Sequence, residues 1–269
     1  MSERIGSIII EDVQPSVDGG RHPAKRIVGE DVNVSADIFK EGHDVLVAVV
    51  RWRQVSPSSA ATEWEELPLR AVGNDRFEGS FPAHVNGRYL FTVEAWPDLF
   101  ATWVSEVTRK VEVGRDVTSD LLEGAVVLES SAARAGTNSG DAQRLRDAAA
   151  RFRNGPASSP EVIHAALDPS LTELASRYPD RSIGVRFDRE LEVFVDRRRA
   201  QVGAWYEFFP RSTRNDGKTH GTFQDAEKFL EDVQAMGFDV VYLPPIHPIG
   251  RTARKGKNNS LVAEPDDVG

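Results

Sequence analysis

The sequence predicts a multidomain chain in three successive parts. These are an all-β immunoglobulin-like sandwich over residues 1–114, a small α-helical insert over 115–200, and, over 201–269, the first βαβ unit of an incomplete (β/α)8 barrel. Three observations carry this reading. Apolar residues recur at every second position, between turn residues, as far as Gly114. They then recur at spacings of three and four, as on one face of a helix. Near the end, two short apolar runs flank a single amphipathic helical stretch, the pattern of a parallel strand pair with its crossover helix.

In the first part, Val32, Val34, Ala36 and Ile38 alternate with polar residues as a half-buried strand does. A second strand runs from Val45 through Val55 and carries Trp52. Gly73-Asn74-Asp75 is a turn before the strand that starts at Arg76. Asn86-Gly87 is a hairpin signal before Arg88–Trp96, because both residues tolerate positive φ. Val104–Val113 is expected as the closing strand. About seven short strands at close spacing fit a sandwich. Trp52, Trp64, Trp96 and Trp103 all fall in this part and are read as core rings, with stacking on sugar faces as the competing reading.

In the second part, Leu121, Ala125 and Leu128 mark one helix face, and Leu145, Ala148, Ala149 and Phe152 another, with the loop of residues 136–140 between them. Ser159-Pro160-Glu161 and Asp168-Pro169 are helix starts: a capping residue, then a proline at the first helical position. Tyr178-Pro179 ends the last helix. Leu191, Val193 and Val195 alternate as a strand that opens the approach to the third part.

In the third part, Ala204–Pro210 is an apolar strand followed by a polar, glycine-containing loop. Thr222 is the N-cap of a helix whose face is Phe223, Ala226, Phe229, Leu230 and Val233, and Gly237 stops it. Phe238–Leu243 is the second strand, ended by Pro244-Pro245. A lone βαβ unit leaves apolar faces and strand edges uncovered, and this stretch is far short of the roughly 250 residues of a complete barrel. The expectation is therefore the N-terminal part of a longer protein.

With 33 Lys+Arg against 42 Asp+Glu the chain carries a formal charge of −9, which argues against binding a phosphate backbone. It has no cysteine, so thiol catalysis, disulfides and thiolate metal sites are excluded. The six histidines show no ligand spacing, and no metal site is expected. Ile8-Ile9-Ile10 is too short for a signal peptide, and no apolar run is long enough to span a bilayer. A cytoplasmic chain with no membrane partner is expected.

Two passages bear a family resemblance. One runs from Val195-Asp196-Arg197-Arg198-Arg199-Ala200 into Gly203-Ala204-Trp205-Tyr206-Glu207-Phe208-Phe209-Pro210-Arg211-Ser212. The other is Gly237-Phe238-Asp239-Val240-Val241-Tyr242-Leu243-Pro244-Pro245-Ile246-His247-Pro248-Ile249-Gly250, continuing through Arg254-Lys255-Gly256-Lys257-Asn258-Asn259. Both resemble the opening of the catalytic domain of the α-1,4-glucan:maltose-1-phosphate maltosyltransferases, within the α-amylase superfamily. Val13-Gln14-Pro15, Gly19-Gly20-Arg21 and Pro23-Ala24-Lys25-Arg26 are similar to that family's N-terminus, and so is the order of sandwich, helical insert and barrel.

The resemblance implies transfer of a maltosyl unit from α-maltose 1-phosphate to the non-reducing end of an α-1,4-glucan, with release of phosphate. It implies a retaining mechanism through a carboxylate pair about 5–5.5 Å apart. It also implies a homodimer and no cofactor. The family's carboxylates belong to later barrel strands, beyond Gly269, so no catalytic residue is assigned in this chain. Lys255 matches the family's donor-binding lysine, with Lys257 and Asn259 as further substrate-binding candidates on the same loop. His247 is read first as a loop histidine bonded to backbone and second as a cleft residue. Trp205 and Tyr206 are read as packing residues, and Glu207 is expected to meet a buried arginine, since an unpaired buried charge is costly. Other α-amylase-type hydrolases or branching enzymes, and a non-catalytic glycan-binding or assembly module, are the alternatives.

Overall fold

The computed structural model describes residues 8–55, 62–137, 139–156, 159–214, 216, 220–247 and 250–267. Asn138 of the expected 136–140 loop, Pro248 and Ile249 of the second passage, and Val268 and Gly269 lie outside the described residues. The chain divides into two compact units, Met1–Asp196 and Arg197–Gly269.

The first unit opens with strands β1 (Ile9–Gln14), β2 (Ala24–Ile27), β3 (Glu30–Phe39), β4 (Leu46–Gln54), β5 (Glu65–Gly73), β6 (Arg76–Ala83) and β7 (Gly87–Pro97). Helices α1 (Leu99–Glu112), α2 (Thr118–Arg134), α3 (Gly140–Asn154), α4 (Pro160–Ala166) and α5 (Pro169–Ser176) come next, and strands β8 (Val185–Arg186) and β9 (Leu191–Asp196) close the unit. The strands form one curled mixed sheet in the order β1-β3-β6-β5-β4-β7-β9-β2, with β8 beside β7. All pairings are antiparallel except β2 with β9.

The alternation read from the sequence is the burial pattern of β3: Val32, Val34, Ala36 and Ile38 are buried and their neighbours are not. At about 1.5–3 kcal/mol for each large apolar side chain removed from water, such a face fixes which side of the strand turns inward. The hairpin between β5 and β6 turns on Asn74 and Asp75, both at positive φ (50° and 59°). Trp52 stacks on Phe81 at 5.1 Å inside the sheet core.

Three expectations are corrected. Val104–Val113 is not a strand: as far as Glu112 it belongs to α1, because Phe100, Trp103 and Val107 bury one helical face and the Asp98 carboxylate caps the first turn, accepting from the Ala101 amide at 2.9 Å. Asn86-Gly87 does not close a hairpin. β6 lies between β3 and β5 while β7 lies between β4 and β9, so this turn carries the chain between non-neighbouring strands. Trp103 belongs to the helices, where it stacks on Phe100 and Phe152 at 5.1 and 5.5 Å.

Among the described residues the unit therefore holds two separate apolar clusters, one inside the sheet and one among α1–α5. Leu121, Ala125, Leu128, Leu145, Ala149 and Phe152 are buried in the second, as their spacing predicts. Proline stands at the start of α4 and α5, and Asp168 caps α5 by accepting from the Ser170 amide. In the middle of α2, Gly124 faces the Trp103 indole so closely that a Cβ there falls 2.4 Å from the ring. Helix propensity alone favours alanine at this position by about 1 kcal/mol. The indole, whose Nε1 donates to the Asp120 carbonyl at 2.6 Å, has nowhere to retreat. Gly124→Ala is expected to lower stability by about 1–3 kcal/mol in urea unfolding, the cost of overpacking; a gain in stability contradicts this packing.

Candidate functional site

The second unit contains β10 (Trp205–Glu207), α6 (Phe223–Ala235) and β11 (Val240–Tyr242). The two strands pair in parallel, Trp205 with Val240, Tyr206 with Val241 and Glu207 with Tyr242. Their entry is fixed by the Ala204 carbonyl, which accepts from the Asp239 and Val240 amides, and by the Asp239 carboxylate, which accepts from the Ala204 amide. Tyr206 packs edge-on against Phe238 at 4.9 Å and lies 5.9 Å from Phe229 of α6, which meets Phe208 at 5.2 Å. These rings join the helix to one face of the pair. On α6, Ala226 and Val233 are buried, whereas Phe223 and Leu230 of the expected face are exposed. Gly237 takes the positive φ (85°) that ends the helix.

Beyond the strands' carboxyl ends the chain continues as Phe209–Arg211 and Pro244–His247. Together with His220–Phe223, before and at the start of α6, these residues line a cavity of about 610 Å3. Two local devices hold it. The Gly221 amide donates to the Arg211 carbonyl at 2.8 Å, and a Cβ on Gly221 falls 2.4 Å from the Pro210 carbonyl oxygen, so only glycine permits that approach. Thr222 and Asp225 form a reciprocal cap: Thr222 Oγ1 accepts from the Asp225 amide and the Asp225 carboxylate accepts from the Thr222 amide at 2.9 Å. The Asp225 carboxyl is held below the ordinary carboxylate range by the Thr222 amide first and the Thr222 hydroxyl second.

The cleft has apolar walls, with Phe209, Phe223 and Ile246 all more than half exposed, and a polar set of Arg211, Thr222, His220 and His247. The Gly221 carbonyl accepts from His220 Nδ1 at 3.1 Å, leaving Nε2 for a ligand. Among the described lining residues there is no carboxylate, and these residues supply no acid or nucleophile for glycosyl transfer.

His247 lies in this cleft, on the second of its two sequence readings, and His220 joins it from a distant loop. Lys255, Lys257 and Asn259 are not lining residues of the cleft. Lys255 Nζ donates to Asn259 Oδ1 at 2.9 Å, both residues are exposed, and Lys257 opens the short turn that brings them together. Asn258 and Asn259 sit at positive φ (56° and 64°), a conformation asparagine tolerates. The loop's other end is tied by Arg254, whose guanidinium donates to the Asp267 carbonyl at 2.6 Å.

Glu207 departs from expectation: it is exposed and meets no arginine among the described residues. β10 is too short, and its outer face too open, to bury that carboxylate. Trp205 on the same face is 64% exposed.

A model of the α-1,4-glucan:maltose-1-phosphate maltosyltransferase N/S domain matches residues 6–197. The chain belongs to this family. It is 61% identical over its whole length to the α-1,4-glucan:maltose-1-phosphate maltosyltransferase of Myxococcus xanthus (strain DK1622), of which it covers 40%. Over 97% of the chain it is 41% identical to the enzyme of that name from Chlorobaculum tepidum, covering 38% of it. Over 98% it is 42% identical to maltosyltransferase 1 of Streptomyces coelicolor, covering 39%. The chain thus spans about two fifths of the length of these relatives.

The cap at α6 yields a pH prediction. The folded-state pKa of Asp225 is depressed, so its contribution is present above the unfolded value of about 4 and is lost as pH falls through the lower folded value. The protection of amides at the start of α6, relative to their intrinsic exchange rates, is expected to fall selectively below about pH 4, and Asp225→Asn to flatten that acid limb. An acid limb unchanged in the variant contradicts the assignment.

Proposed function

We propose that this chain is the N-terminal portion of a retaining maltosyltransferase that moves maltosyl units from α-maltose 1-phosphate to the non-reducing ends of α-1,4-glucans and releases phosphate, in the synthesis of a glycogen-like polymer. The observation that carries the reading is the cleft at the carboxyl ends of two parallel strands, β10 and β11, in a chain of this family. That end of a parallel α/β barrel is where substrates bind, because the loops after successive strands converge there. In this reading β10, α6 and β11 begin a (β/α)8 barrel, the curled sheet is an immunoglobulin-like sandwich, and the helices form an insert within it.

Lys255 is the donor-binding residue: its ammonium, with one proton engaged by Asn259, offers two more to the hydroxyls of the maltosyl unit. Lys257 and Asn259 support the same contact. In this reading the acid and the nucleophile come from later strands of the barrel. The enzyme works in the cytoplasm as a homodimer. The exposed Leu122 and Val126 on the outer side of α2 support self-association through the helices.

The glycan-stacking role weighed for the tryptophans of the first part is disfavoured. Trp52, Trp96 and Trp103 are buried, and Trp64 is covered by the Arg53 guanidinium 4.6 Å from its ring.

The deciding assay is phosphate release from α-maltose 1-phosphate with a maltooligosaccharide acceptor, by the enzyme that carries this segment. Turnover is expected, with Lys255→Ala raising KM for the donor at least tenfold. Hydrolysis or branching of glucan without phosphate release overturns the reading in favour of another α-amylase-type activity.

A further inference from the structure

The turn that carries Lys255 has an inner and an outer side. Lys255, Lys257 and Asn259 are exposed, whereas Arg254 and Gly256 are half-buried, as is Asp267 on the returning limb of the loop. The outer side holds the polar set assigned to the donor, and the inner side is made of residues outside that set.

Asp267 ties the two limbs together. Its carbonyl accepts from the Arg254 guanidinium at 2.6 Å, and its carboxylate accepts from the Glu264 amide at 2.8 Å. Its own amide donates to the Glu264 carbonyl at 3.1 Å, so its amide, carbonyl and carboxylate are all engaged within the loop. Arg254, the residue before Lys255, is thereby held from one side. On the other side the Gly256 amide donates to the Ser260 carbonyl at 3.0 Å. A Cβ on Gly256 falls 2.4 Å from the Val262 carbonyl oxygen and 2.6 Å from the Asp267 carboxylate. Gly256 has an ordinary φ of −89°, so glycine is needed here for space rather than for backbone freedom.

Among the described residues the Lys255 ammonium meets only Asn259, at 2.9 Å. A four-carbon stem with one exposed hydrogen bond keeps much of its rotamer freedom, and ordering it on binding is unfavourable. The backbone from which the stem leaves can be ordered beforehand, which lowers that cost. We propose that Asp267 and Arg254 are positioning residues for the sugar phosphate donor: their tie fixes the backbone on both sides of Lys255 and aims its ammonium. This rests on the reading of Lys255 as the donor-binding residue. Because the pair acts through the turn, it strengthens donor binding alike in the ground and transition states, which moves KM and leaves kcat.

Donor kinetics of the enzyme that carries this segment test the proposal, with α-maltose 1-phosphate and a maltooligosaccharide acceptor. Asp267→Ala is expected to raise the donor KM by about fivefold or more, with kcat and the acceptor KM unchanged. Gly256→Ala, which removes no charge, is expected to do the same. Asp267→Asn keeps an oxygen for the Glu264 amide and is expected to behave as the unaltered enzyme. An unchanged donor KM in Asp267→Ala overturns the proposal, as does a loss that falls on kcat, or an Asp267→Asn enzyme as impaired as Asp267→Ala.

A second measurement needs no donor: competitive acetylation of the 269-residue chain, read by peptide mass. An ammonium held on an acceptor acylates slowly, so Lys255 is expected to react more slowly than Lys257, and Asp267→Ala to abolish that difference. Equal rates in the unaltered chain, or an unchanged difference in the variant, overturn the brace. The donor-binding reading fails separately, by an unchanged donor KM in Lys255→Ala.

Discussion

The pairing of β9 with β7 is the interaction on which the first unit depends. Val193 and Val195 lie opposite Tyr89 and Gly87, and both valines are fully buried in the sheet core. The same strand then accepts β2 in parallel, so the sheet's last two places are filled only after the chain has travelled out through five helices and come back. Loop-closure entropy grows slowly with loop length, and the helices bury an apolar cluster of their own, so the excursion adds little to the cost of that return. Its two ends are clamped. Arg181 lies over the Trp96 ring at 4.2 Å while making a double contact with Glu66 on β5, and Gly184 passes so near the Ala95 carbonyl that a Cβ there falls at 2.9 Å.

The second unit is built differently. The strands contribute little beyond a parallel pair of three residues each, and the cleft is made by the loops at their carboxyl ends. Pro244 is buried and Pro245 exposed at the end of β11, a stiff exit that sends His247 into the cleft. Gly221 and the Thr222–Asp225 cap bring His220 and the start of α6 to the opposite wall. The Lys255 loop uses a different device, a tight turn with two asparagines at positive φ, to hold one ammonium beside one amide.

Local pattern made much of this legible. The strict alternation of β3, the Asn74-Asp75 turn, the prolines opening α4 and α5, and the Thr222 cap each express a short-range rule. What escaped depends on partners distant in sequence. The valines at 104, 107, 111 and 113 look strand-like until Val107 is counted on one buried helical face with Phe100 and Trp103. Asn86-Gly87 has the residues of a hairpin, but β4 and β9 compete successfully for β7. Leu191–Asp196 was legible as a strand, yet nothing near it in sequence names β7 as its neighbour. At the cleft, the Pro-Pro-Ile-His passage was readable from motif, whereas Lys255 is not among its lining residues. His220 was not readable, because only the crossover of α6 brings its loop to the end of β10.

The dependence of the sheet on its returning strand is most directly tested by native-state amide hydrogen exchange across residues 87–97 and 191–196. If β9 completes the sheet, the amides of Val193 and Val195 exchange through the same opening, with the same denaturant dependence, as those of Tyr89 and Phe91. Exchange of β9 at far lower free energy while β7 stays protected contradicts that account and makes the first sheet independent of the strand that comes after the helices.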